Sequence, residues 1–114
     1  MSASGVVVRI DASRIVDWPS FHEVFARALG FPDFYGRNLD AWNDCMAYLD
    51  DPEAGMTSVH VHRGGVVTLL IDHASELAAR CPEQYAALIE CSSFVNWRRL
   101  DQGAPSVLAL AFYG

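Results

Sequence analysis

Lysine is absent from this chain, and its eight arginines face fourteen acidic residues, which leaves a net charge of −6 over 114 residues. Such a balance repels phosphate backbones, so the electrostatic term behind most nucleic-acid binding is missing and the natural partner is a cationic one. Abundant arginine and alanine without lysine suggests a GC-rich bacterial gene. Long apolar runs are missing too. No stretch approaches the roughly 18 residues that cross a bilayer, and Met1 to Ile10 lacks a charged n-region followed by an apolar segment. A cytoplasmic protein with no membrane partner is expected. Cysteine is scarce and odd in number: Cys45, Cys81 and Cys91 form no Cys-x-x-Cys pair, which excludes a disulfide framework or a zinc ribbon. Repeats, low-complexity tracts and linkers are also lacking. Since chains divide only beyond roughly 250 residues, one domain over residues 1–114 is expected, folding without metal, cofactor or disulfide. No apolar stripe beyond the core faces announces itself, so the expected state is a monomer.

What is present is a well-supplied core, 52% hydrophobic against 19% charged, arranged as an α/β chain. Val6 to Ile10 reads as a strand buried on both faces. Ser20-Phe21-His22-Glu23 looks like a capping box, with Ser20 as N-cap of a helix whose apolar face is Phe21, Val24, Phe25, Ala28 and Leu29, closed by Gly30. Phe31 to Gly36 is a loop in which Gly36 can take positive φ. Asn38 is the N-cap of a second helix to about Asp51, closed by Pro52. Val59 to His62 and Val66 to Ile71 flank Arg63-Gly64-Gly65 and read as a β-hairpin whose second arm is a central strand. Pro82 opens a helix toward Trp97 with Tyr85, Leu88 and Ile89 on one face, and Ser106 to Tyr113 is the last strand. The predicted fold is a small, mainly parallel sheet of three strands plus an extra hairpin strand, packed against about four helices.

Most of the information lies between Asp33 and Glu53. At about 100° per residue, Leu39, Trp42, Cys45, Met46 and Leu49 gather on one side of the second helix and Asp40, Asp44, Ala47 and Asp51 on the other. Asp33, Asp40, Asp44, Asp50, Asp51 and Glu53 against Arg37 concentrate a net −5 of the chain's −6 here. Solvated helices usually interleave opposite charges at four-residue spacing, yet Asp40 and Asp44 face one another unpaired. Asp44 and Asp51 also lie past the first turn, where the helix dipole no longer favours anions. A stripe that costs folding energy locally suggests a cationic partner.

The run Phe34-Tyr35-Gly36-Arg37-Asn38-Leu39-Asp40-Ala41-Trp42-Asn43-Asp44-Cys45 resembles the signature Tyr-Tyr-Gly-x-Asn-Leu-Asp-Ala-Leu-Trp-Asp-Cys of the barstar family, intracellular inhibitors of bacterial ribonucleases. Tyr-Gly-x-Asn, Asp-Ala and Asp-Cys fall in register without a gap. The resemblance implies a barstar-like parallel sheet flanked by helices and no enzymatic activity. It further implies a protein partner, either a basic extracellular ribonuclease or the nuclease domain of a toxin. Asp44 matches the carboxylate that enters the ribonuclease active site in place of a substrate phosphate, and Asp40 a second interfacial carboxylate. Phe34 matches an aromatic that covers a catalytic histidine, Gly36 and Asn38 match further contacts, and Glu90 is the counterpart of a carboxylate on a later helix. With Tyr35, Asn43, Ala47 and Tyr48, these form the expected partner-binding set. Departures fall on the rim: Phe34 lacks the signature hydroxyl, Trp42 and Asn43 stand for Leu and Trp, and Ala47, Tyr48 and Leu49 for Thr, Gly and Trp. A changed rim around retained carboxylates implies a cognate nuclease other than the one best known for the family.

Other signals carry less. His60 and His62 alternate along the expected hairpin arm and could be half a metal site, but no third ligand is evident and polar edge residues explain them. His73 has no nucleophile turn or oxyanion motif beside it. Cys45 lies on the apolar side of its helix. Tyr35, Trp42 and Trp97 as base-stacking platforms are opposed by their acidic surroundings. Arg98 and Arg99 are either a helix C-cap or internal partners of the carboxylates. An alternative to inhibition is an adaptor of the same fold that binds another cationic protein.

Overall fold

Three parallel strands, β1 (Gly5–Asp11), β2 (Val66–Asp72) and β3 (Leu108–Tyr113), lie side by side with β2 in the centre. Val8 is level with Leu69, and Leu69 with Leu110. The computed structural model describes residues 5–114; residues 1–4, where the leader reading and the single-domain reading begin, lie outside the described residues. Four helices accompany the strands: α1 (Trp18–Leu29), α2 (Leu39–Met46), α3 (Ala74–Arg80) and α4 (Pro82–Asp101).

The sheet buries one face. Val8, Ile10, Val67, Leu69, Ile71 and Leu108 point into a core completed by Phe21, Phe25, Leu29, Trp42, Met46, Leu49, Leu88 and Val95. Alternate residues face outward, and Val7 is 66% exposed. The expectation of a β1 buried on both faces is therefore corrected. The reason is that its alternate positions are open to solvent, where Arg9 of β1 pairs with Asp72 of β2 at 2.7 Å.

Local signals explain most element ends. Gly30 adopts φ 68 and its N–H reaches the Ala26 carbonyl, ending α1. The α1 start lies earlier than expected: Asp17 is the N-cap and Ser20 its reciprocal partner, with Asp17 Oδ1 accepting from Ser20 N at 2.9 Å and Ser20 Oγ accepting from Asp17 N at 3.0 Å. Pro19 fits inside this first turn because an N–H there has no intrahelical acceptor to lose. The expected hairpin is not formed, since 59–62 is irregular and only Val66–Asp72 is a strand. Val61 N instead donates to the Leu49 carbonyl at 3.0 Å, pulling this segment against the chain that leaves α2. His60 and His62 therefore do not alternate on a strand, and among the described residues no three metal-ligating side chains converge.

Candidate partner-binding site

The loop before α2 is tied down from below. Phe31 and Tyr35 pack with ring centroids 4.7 Å apart, and the Tyr35 hydroxyl shares a 2.5 Å hydrogen bond with His22 Nδ1. His22 is buried and its ring is stacked on Trp18. Burial pushes the Tyr35 hydroxyl pKa up, and burial with the nearby Arg37 charge pushes that of His22 down. Positive φ falls on Arg37 (φ 53), not on Gly36 as expected. Glu23 offsets that strain by binding Arg37 Nη2 at 2.9 Å as well as Arg27 Nε at 2.5 Å. Gly36 sits close to the cap: a Cβ there would lie 3.2 Å from Asn38 Nδ2, a tight contact. Between these anchors Phe34 turns its ring to solvent, 74% exposed.

Asn38 caps α2 as expected, its Oδ1 accepting from Ala41 N at 2.7 Å. Trp42 is fully buried, edge-on to Phe25 at 5.6 Å, with Cys45 and Met46 beside it. A rigid, N-capped helix thus carries Asp40 and Asp44 outward, one turn apart. The helix is shorter than expected. It ends at Met46 with Ala47 as C-cap, and Asp51 caps a separate 3₁₀ turn, Pro52–Ala54, so it does not extend the stripe. Asn43, expected in the partner-binding set, is buried, whereas Tyr48 of the same set is exposed.

The arginines of α4 resolve the choice left open in the sequence. Arg99 is a buried clamp: it donates to Asp50 at 3.1 and 2.6 Å, to the Ala47 carbonyl at 2.6 Å and to the Pro105 carbonyl at 2.8 Å, with both charged side chains 10% exposed. Arg98 Nη1 lies 3.2 Å from Asp44 Oδ1, the two side chains being 42% and 54% exposed. Asp44 is therefore not unpaired, which corrects the reading from helix spacing; its partner comes from 54 positions later in the chain. An exposed pair of this kind contributes only about 0.2–1 kcal/mol. Glu90 is exposed on α4, about 12 Å from Arg98 along the axis at roughly 1.5 Å per residue. Burial raises the pKa of the adjacent Cys91 thiol, and the Glu90 and Asp40 charges raise it further. The Cys45 thiol is pushed up to about 11 by burial and Asp44, as suits a core thiol rather than a reactive one.

Arg98 as the neighbour of Asp44, and the exposed Phe94 and Trp97 beside it on α4, were not among the expected site residues. The only sequence signal was the Arg-Arg pair in the last turn of a helix, and pattern alone does not say across which gap a long side chain reaches.

No curated protein matches the chain at a significant level. A family model does, over residues 6–110, nearly the whole chain; it is described as barstar, barnase inhibitor. Its span runs from β1 through the capped helix and into β3, so the resemblance seen in one short segment extends across the sheet and all four helices, and the chain belongs to the barstar family.

Proposed function

We propose that the protein is an intracellular inhibitor, acting as a monomeric immunity protein, of a basic bacterial ribonuclease or ribonuclease toxin domain. It blocks the active site with the acidic face of α2 and the loop before it. The observation that carries this reading is a rigid, N-capped helix holding Asp40 and Asp44 outward one turn apart beside the exposed Phe34 ring. Membership of a family described by inhibition of barnase supports it. A ribonuclease holds its substrate phosphates with cationic side chains; two carboxylates at helical spacing occupy those positions, and Phe34 covers the rim. No chemistry by the inhibitor is needed. Concentrating the negative charge in one segment speeds capture of a basic enzyme, an effect that salt weakens.

The test is calorimetric titration against a panel of catalytically disabled basic ribonucleases, including any encoded beside this gene, at low and moderate salt. One-to-one binding that weakens with salt is expected. Asp44→Ala should cost about 2–5 kcal/mol, roughly 30-fold to several-thousand-fold in Kd, because it strands a desolvated cation on the partner. Glu83→Ala, at the exposed start of α4, should change little; equal effects of the two variants would refute the site.

A further inference from the structure

Arg98 contributes little that folding requires. Its neighbour Arg99 already ties the end of α4 to Asp50 and to the Ala47 and Pro105 carbonyls, deep enough to matter. Arg98 adds a bond between two half-exposed ends, and in doing so neutralises part of the charge that Asp44 presents. Around it α4 leaves aromatic surface in water. Phe94 lies one turn before Arg98 and on the same side; its ring is 6.0 Å from that of Trp97, which is 60% exposed. Trp, Tyr and Arg gathered beside a charged anchor are the composition of an interface centre rather than of ordinary surface. A groove of about 450 Å³ opens beside Arg98, lined also by Tyr48, Asp51, Arg63 and Gln102. Its other charges, Arg63 and Arg99 against Asp50 and Asp51, cancel, so the groove's one unit of positive charge is Arg98, which Asp44 offsets in the free protein.

We propose that Arg98 is a specificity-determining residue, and that the cognate nuclease carries an Asp or Glu side chain that enters this groove next to the cation engaging Asp44. The proposal rests on the inhibitor reading of the α2 face. As the partner's cation approaches, Asp44 exchanges one guanidinium for another. Arg98 is then left without a counter-charge beside a groove whose other charges, Arg63 and Arg99 against Asp50 and Asp51, cancel. An incoming carboxylate compensates it, whereas a purely basic nuclease floor meets repulsion. The surface that fits is therefore a cation and an acid side by side, with an apolar residue against Phe94 and Trp97.

Calorimetric titration of the full chain as wild type, Asp44→Ala, Arg98→Ala and Arg98→Glu against the same disabled ribonucleases tests this. A nuclease that binds in an Asp44-dependent way is expected to lose about tenfold or more in affinity with Arg98→Ala. It should lose more with Arg98→Glu, and recover when an acidic residue bordering its own cleft is changed to Arg. Thermal melts of the Arg98 variants should stay within about 4 °C of wild type, which separates binding from folding. If Arg98→Ala binds every Asp44-dependent nuclease as tightly as wild type, or more tightly, Arg98 merely competes for Asp44; the proposal falls and the inhibitor reading stands. If no nuclease shows Asp44-dependent binding, both fall.

Discussion

Two consecutive arginines on α4 should behave as opposites in an unfolding experiment. Arg99→Ala removes a guanidinium that makes two bonds to Asp50 and one to each of two backbone carbonyls, Ala47 and Pro105. The Asp50 carboxylate then stays buried without a counter-charge, since both ends of the pair are 10% exposed. Breaking a buried pair from one side typically costs about 3–5 kcal/mol, a large part of the roughly 5–15 kcal/mol that holds a domain folded. At roughly 4 °C per kcal/mol for a chain of this size, the melting point should fall by about 12–20 °C. Arg98→Ala breaks only an exposed pair and should cost less than about 1 kcal/mol. Replacing both partners, as Arg99→Met with Asp50→Leu, should recover most of the loss, because no orphaned charge remains. Urea unfolding followed by tryptophan fluorescence, with the buried Trp42 as reporter, measures all three. A loss below about 1 kcal/mol for Arg99→Ala, or equal losses at 98 and 99, would refute the division of roles.

His22 supplies a pH prediction. Burial first, and Arg37 second, lower its folded pKa below the ordinary 6.5. The unfolded chain then binds the extra proton more readily, so His22's contribution is fully present above about pH 6.5 and is lost as pH falls below it. Urea midpoints between pH 7.5 and 5 should decline more steeply for wild type than for His22→Gln, and parallel curves would disprove the assignment. The carboxyls of Asp11, Asp17 and Glu23, also lowered, act only in more acid solution. Gly30→Ala and Gly55→Ala form a second pair. Both positions have φ 68, but a Cβ at Gly30 would collide with the Ser58 side chain while one at Gly55 meets nothing within 4 Å. Each should lose about 1–2 kcal/mol from left-handed strain, and Gly30→Ala measurably more in the same urea assay; equal losses would show that Ser58 yields freely.

The readings that survived contact with the structure concern neighbours in the chain. Asn38 as a cap, Gly30 as a stop, Pro82 as a start and the inward set Trp42, Cys45 and Met46 all follow from local hydrogen-bond geometry and helical period. Those that failed depended on what a segment met. Val59–His62 has the composition of a hairpin arm, yet Leu49 takes its Val61 N–H. Asn43 lies between the two faces of α2, and only the packing around the helix sent it inward. Helical spacing of Leu49 and Asp51 extends past the end of α2 at Met46, where the backbone has already left the helix.

The amino-acid sequence alone determined the fold class, the capped helix and its outward carboxylates, and the family, since period, cap chemistry and an ungapped motif are properties of adjacent residues. Tertiary structure alone decided which charges remain available to a partner. Arg98 and Arg99 are adjacent on one helix, but their side chains leave it in different directions: one is buried with Asp50 and the other rests in solvent against Asp44. Burial and a partner from a distant segment set what a charge is worth, and both arise only when α2 packs against α4.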